Sequence, residues 1–243
     1  DGSAWIDSHT ITFAAPSSHW QAGTSQAGVL TGGSGVDWMA GHAGKDSLHG
    51  GAGIDLAWYS AERRSAAIAR TDRGWTVSSG DDGRDGLEGI ERLRFADMRV
   101  ALDFDSDGQV NQGRAAITAK TVHALLGPSF VSDRALVGAV IGLLDGGLTY
   151  GGLVGAIVSH PAFNTLAGAA SGPLSVEGFV AHLYKNVVHS VADTATVSLL
   201  ANLIVSGSMT SAEFAMFACE SGINAASVGL VGLAASGIEY IPS

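Results

Sequence analysis

Between residues 30 and 57 single apolar residues, Leu30, Met39, Leu48 and Ala57, stand nine apart among glycines and polar side chains. Such isolated positions cannot make an amphipathic helix, which needs an apolar stripe at intervals of three and four. They predict very short strands that each turn one side chain inward and give way at once to a tight turn. Further on, β-rich runs at 66–71, 75–79, 90–96 and 99–104 predict strands, with alternation in Leu93/Phe95 and Val100/Leu102/Phe104, and Gly80-Asp81-Asp82-Gly83 between them predicts a turn. From residue 109 the spacing changes to that of helices, predicted over 118–126, 134–144, 150–158, 176–188, 192–205, 211–219 and 225–235, with Ser175, Asp193 and Thr210 at helix starts. The pattern as a whole predicts an α+β chain: short turn-and-strand units followed by further strands, then an all-α part.

The nine-residue units have a chemistry of their own. Gly32–Ala40, Gly41–His49 and Gly50–Trp58 follow G-G-x-G-x-D-x-U-x with U apolar, His42 standing at the second glycine of the middle unit, and place Asp37, Asp46 and Asp55 two residues before Met39, Leu48 and Ala57. Glycines admit turn angles closed to other residues, and each aspartate supplies a hard oxygen. Clustered carboxylates on a glycine-rich ribbon repel one another and are costly to order, so folding of this segment is expected to require a cation. The pattern resembles the calcium-binding nonapeptide repeat of RTX exports, whose successive units coil into a parallel β-roll. The resemblance implies Ca2+ between units n and n+2, and therefore an ion held between Asp37 and Asp55 with carbonyls from Gly32, Ser34, Gly51 and Gly53. Asp46 is expected to fare worse, because unit 23–31 has Gly28 at the aspartate position and unit 59–67 has Arg64. One full site and one or two half-sites around Asp46 are expected. The run from Asp85 to Asp97 is similar to the segment that follows RTX repeats and caps the roll. The resemblance further implies a secreted, extracellular protein that leaves by type I secretion.

Charge divides the chain sharply. Residues 1–108 carry 9 basic and 16 acidic side chains and all five tryptophans, whereas the 135 residues from Gln109 carry only 4 and 7. Domains are accordingly expected at 1–108 and 109–243. The net charge of −10 argues against nucleic acid as a partner. Cys219 is the only cysteine, which excludes an internal disulfide and a cysteine-based zinc site. Residues 1–10 have neither a basic region nor an apolar core, so no cleavable signal peptide is expected there, and no stretch free of turn residues suits a transmembrane segment. At the junction, Asp103, Asp105 and Asp107 with Gly108 begin like an EF-hand loop, but Arg114 stands at the twelfth position where a glutamate belongs. A further calcium site and an acidic linker both remain open readings.

The apolar half contains a degenerate duplication: Leu143–Thr149 aligns with Ile204–Thr210 at an offset of 61, which sets Leu153 on Phe214, and Val122–Leu126 has a counterpart near Val180–Tyr184. Gly178–Val188 is similar to a helical domain of unknown function common in RTX exports, although the Arg-x-Pro-Asp turn and Tyr-Trp pair of that family are replaced here, leaving Asp193. None of the eight histidines forms a metal or catalytic motif, and no nucleophile elbow or phosphate loop is present. A non-catalytic, calcium-binding structural or adhesive protein of the bacterial cell surface is therefore expected, self-assembling as a homo-oligomer or surface assembly through its apolar helices. The alternative is a calcium-dependent secretion and folding module of a larger exported enzyme, a glycan hydrolase or a protease. Trp38 and Trp58 are candidates for contact with a cell-surface glycan.

Overall fold

The computed structural model describes residues 10–12, 19–105, 112–169 and 172–242. They form two compact units: one runs to Asp103 and includes Ala234–Pro242, and the other spans Phe104–Leu233. The division falls between Asp103 and Phe104, ahead of the expected 108/109. Phe104 is buried, and its carbonyl accepts from Gly113 N at 2.9 Å, which joins it to the helices that follow.

The first unit is a two-sheet coil. One sheet has the order β1 (Thr10–Thr12), β3 (Val29–Thr31), β5 (Ser47–His49), β9 (Arg84–Glu88), β8 (Gly74–Ser79), β7 (Ala66–Thr71). The other runs β12 (Ile238–Tyr240), β11 (Arg99–Ala101), β10 (Arg92–Arg94), β6 (Leu56–Trp58), β4 (Asp37–Ala40), β2 (His19–Ala22). The chain alternates between the sheets, so residues two units apart pair in parallel: Leu30 with Leu48, and Met39 with Ala57. Their side chains stack in a narrow core with Leu87 and Leu93, all buried. Each fully buried side chain of this size contributes about 1.5–3 kcal/mol, which the ordering of a glycine-rich backbone offsets almost residue for residue. The aromatic cap supplies more: Tyr59 stacks on Phe95 with centroids 5.5 Å apart, and Trp75, Ile90, Val100 and Leu102 share the same core.

Two features of this unit go beyond the pattern in the sequence. The antiparallel hairpin β7–β8 is inserted between two turns of the coil, after which β9 rejoins the parallel register against β5. The chain's last strand, β12, pairs antiparallel with β11, so residues assigned above to the helical half belong to the roll unit. The switch comes at Gly237, where φ is +79° and an added Cβ would stand 2.3 Å from Val100 Cγ1.

The second unit is a duplication in helices. The first copy comprises α1 (Arg114–Thr121) extended by a π-helical stretch (Val122–Leu126), α2 (Arg134–Asp145), α3 (Tyr150–Ser159) and α4 (Pro161–Leu166). The second comprises α5 (Val176–Val188), α6 (Thr194–Val205), α7 (Ser211–Glu220) and α8 (Gly222–Ser227). Helix for helix the lengths agree: eight plus five residues against 13, then 12, 10 and 6 in both copies. The caps correspond too, since Asp133 and Asp193 cap the second helices and Thr149 and Thr210 the third. Each cap oxygen accepts orphan N–H groups of the first turn and is worth about 1 kcal/mol. A ninth helix, α9 (Leu230–Ser236), follows without a counterpart. The expected helix at 225–235 is thus replaced by two short ones, interrupted at Gly229 with φ +66°.

Inside the helical unit a polar network ties the copies together. The buried Lys120 ammonium donates to Glu220 at 2.6 and 2.7 Å, and Gln112 donates to the same carboxylate at 3.0 Å. Asn224 donates to the carbonyls of Lys120 and Cys219 and meets His123 Nδ1 at 2.7 Å. Burial drives the Cys219 thiol up to about 12, so it is packed and unreactive. Burial also lowers His123 and His182, which serve as neutral hydrogen-bonding groups within the helices.

Candidate metal centre

The repeat aspartates lie at the corner where each turn enters a strand, and coiling stacks them in two columns. In one, Asp37 N donates to Asp55 Oδ1 at 2.8 Å and Asp55 N donates to Glu91 Oε2 at 2.8 Å. In the other, Gly28 N donates to Asp46 Oδ1 at 2.7 Å and Asp46 N donates to Asp85 Oδ1 at 3.0 Å. Each backbone N–H at the aspartate position thus binds the carboxylate of the coil below it, and one oxygen of every carboxylate is aligned. Asp37, Asp46, Asp55 and Asp85 are all buried.

The second oxygens carry the electrostatic tension. Oδ2 of Asp46, Asp55 and Asp85 is buried and has no hydrogen-bond partner. Burial, the largest cause, pushes Asp55 up to about 6 and Asp85 and Glu91 up to about 7, and it raises Asp46 as well. Repulsion between successive carboxylates adds to the rise: Asp37 acts on Asp55, Asp46 on Asp85, and Asp55 on Glu91. An unmade charge-assisted bond on a buried oxygen is expensive, so these groups call for a cation.

The backbone is shaped for the same purpose. The bridge between Ser34 and Ala52 uses Ala52 N to Gly33 O at 2.9 Å and Gly35 N to Ala52 O at 2.6 Å. Those bonds pass over the carbonyls of Gly32, Ser34, Gly51 and Gly53, none of which accepts a backbone bond among the described turn contacts. The turns also press together: a Cβ on Gly50 would stand 1.9 Å from Gly89 O and 2.5 Å from Asp55 Oδ2. Among the described residues no three His, Cys, Asp or Glu side chains converge as a metal-binding group. The available donors are thus one or two carboxylates with turn carbonyls, an all-oxygen set that fits Ca2+ and not a softer metal.

The nine-residue spacing sets Asp37 beside Asp55, and the fold stacks them. The same spacing leaves Asp46 without a carboxylate partner, and here the fold differs. Arg64 is not the downstream neighbour, because the hairpin removes residues 59–79 from the coil and Asp85 takes that place. The signal was present in Gly80-x-x-Gly83-x-Asp85-x-Leu87, a fifth nonapeptide in register at residues 80–88. Glu91 carried no such signal, since the turn before it is shorter than the repeat: Ala57 pairs with Leu93 in β10. Of the EF-hand-like residues, Asp103 accepts from the buried Arg92 Nη1 at 2.5 Å and Arg114 pairs with Asp145 at 3.6 Å. Asp105 is partly buried, and Asp107 lies outside the described residues. Trp38 and Trp58 are both half-buried, and Trp58 tilts against Trp20 at 5.7 Å.

The RTX calcium-binding nonapeptide repeat family matches residues 23–57 in four copies. The roll is an RTX repeat segment. RTX nonapeptides bind calcium and imply a secreted protein. The coil and its carboxylate stacking continue past the matched span, to Asp85 and Glu91. Among solved structures, the crystal structure of extracellular lipase LipA from Serratia marcescens is similar over 42% of this chain at 15% identity, with a TM-score of 0.18. This chain spans 20% of the length of that lipase chain. No curated protein matches it. Among the described residues no helix is long and apolar enough to cross a membrane.

Proposed function

We propose that this is a non-catalytic, calcium-dependent structural or adhesive protein of the bacterial cell surface, in which an RTX roll folds on meeting extracellular calcium and the helical unit self-associates. The observation that carries the reading is the apolar surface of the helical unit. Val191 is 86% exposed, Leu199 73%, Val205 67%, Phe217 59% and Ile223 56%. A single exposed apolar residue means little, but this many on one small helical unit with few charges favour a covering partner. Calcium supplies the control: in its absence the stacked carboxylates oppose folding, and extracellular calcium removes that opposition.

Light scattering of the full chain in millimolar calcium and in chelator tests the reading. Reversible oligomers that form with calcium and disperse without it are expected. A monomer at high protein concentration in calcium refutes self-assembly and leaves the alternative, a folding module of a larger exported enzyme.

A further inference from the structure

The π-helical stretch Val122–Leu126 is the seam where the two helical copies meet through polar groups. It ends its helix, so its last carbonyls have no partner within it. Two of them accept from α5: Ala124 O from Asn186 Nδ2 at 3.0 Å, and Leu125 O from His182 Nε2 at 2.7 Å. On the same stretch the His123 ring is buried, at 2% exposure, and its tautomer is fixed by one neighbour. Asn224 Nδ2 donates to the carbonyls of Lys120 and Cys219, so its Oδ1 meets the imidazole as an acceptor and Nδ1 carries the proton. Nε2 is thereby left as a buried lone pair with no partner among the described residues. Beside this ring stands His189, edge to face at 5.3 Å, an exposed residue that ends α5 in the left-handed conformation at φ +55°.

From this arrangement we infer that the seam between the two helical copies is an acid-sensitive latch, closed while His123 is neutral and opened by a proton on its Nε2. The proton creates an N–H donor with no acceptor and a buried charge with no counter-ion. The carboxylates on the elements packed against the stretch are engaged elsewhere. Glu220 on α7 holds Lys120 and Gln112, and Glu213 closes the cap at the start of α7. Glu177 stands in the first turn of α5, about three turns from His189. Arg114 on α1 pairs with Asp145, and Lys185 on α5 brings only further positive charge. Burial drives the Cys219 thiol up to about 12, so it supplies no anion, and α8 and the turn at 128–132 carry no charged side chain.

Burial, the largest cause, holds His123 below its ordinary 6.5; the Asn224 bond offsets part of this, and charge on His189 adds to it. The unfolded chain therefore binds the proton more tightly than the folded one. Stability that depends on a neutral His123 is complete above pH 6.5 and is lost as pH falls through that value. His182, lowered by burial in the same seam, acts in the same direction.

Urea unfolding of the full chain in calcium at pH 7.5 and 5.5 tests the latch. Far-ultraviolet circular dichroism reads the helices, and tryptophan fluorescence separates any acid response of the roll. Between these pH values the unfolding constant of the helical unit is expected to rise about tenfold for each imidazole that stays neutral while folded. His123→Gln, whose amide can donate to Asn224 Oδ1 and takes up no proton, is expected to lose one such tenfold step. An acid response of full size in this variant overturns the inference. Where His123→Gln does not fold, nuclear magnetic resonance titration of the wild-type imidazoles decides, with His189→Asn assigning the neighbouring ring. A His123 still neutral at pH 5.5 supports the latch, and one that titrates at 6.5 or above in the folded protein refutes it. Hydrogen exchange of the wild type at pH 5.5 is expected to lose protection first at 122–126, 182–189 and 222–227; an even loss over all the helices also refutes it.

Discussion

Replacing Asp85 by asparagine separates the two roles of a repeat carboxylate, because it is predicted to act in opposite directions with and without calcium. Without calcium the folded carboxyl has its pKa raised from 3.8 to about 7, chiefly by burial. It binds its proton more tightly folded than unfolded, so ionisation favours unfolding, and stability is lost as pH rises from about 4 to about 7. That gap corresponds to about 4 kcal/mol at about 1.4 kcal/mol per pH unit. Sharing of the burden with Asp46 and Asp82, together with local relaxation, reduces the expected effect to about 2 kcal/mol. Asparagine keeps the Oδ1 acceptor for Asp46 N and has no charge to lose. In chelator at pH 7.5 the variant is thus expected to be more stable than the wild type by about 2 kcal/mol. In calcium the order reverses, since one lost site at a hundredfold excess over its dissociation constant forfeits about 2.7 kcal/mol. Tryptophan fluorescence during urea unfolding reads the roll unit, because all five tryptophans lie at or before residue 75. A chelated variant less stable than the chelated wild type, or a calcium response of full size, refutes the assignment of Asp85 to the second column.

Further outcomes follow from the same geometry. Gly50→Ala is expected to cost about 3 kcal/mol or to abolish the calcium-dependent transition, because its Cβ meets Gly89 O at 1.9 Å, and calcium titration by circular dichroism checks it. The wild type in chelator is expected to gain roll structure on acidification from pH 7.5 to 5, as Asp55, Asp85 and Glu91, raised to about 6, 7 and 7, take up protons. A flat pH profile of tryptophan fluorescence contradicts this. Glu220→Ala leaves the Lys120 ammonium buried without its carboxylate, and urea unfolding of the helical unit is expected to show a loss of about 3 kcal/mol. Thr210→Ala opens a complete capping box with Glu213, for about 1 kcal/mol less stability by the same measurement.

The parts of this protein that were legible in the sequence are those set by short-range rules. The nine-residue spacing determined the coil, its inward residues from Leu30 to Ala57, and the stacking of Asp37 on Asp55, because turn chemistry and a strand of three residues are local matters. Helical spacing and cap residues placed the helices, and the offset between Leu143–Thr149 and Ile204–Thr210 marked the duplication. The tertiary structure decided what depended on chain excursions. Asp46 finds Asp85 only because the hairpin β7–β8 folds out of the coil and returns it in register, a distance of 39 residues that no nine-residue count can foresee. β12 leaves the helical half of the sequence to complete a sheet of the roll unit, since Ile238 and Tyr240 are buried against strands more than a hundred residues earlier. Local patterns are written in neighbouring residues, whereas pairing across insertions is settled by which buried surfaces the folded chain can bring together.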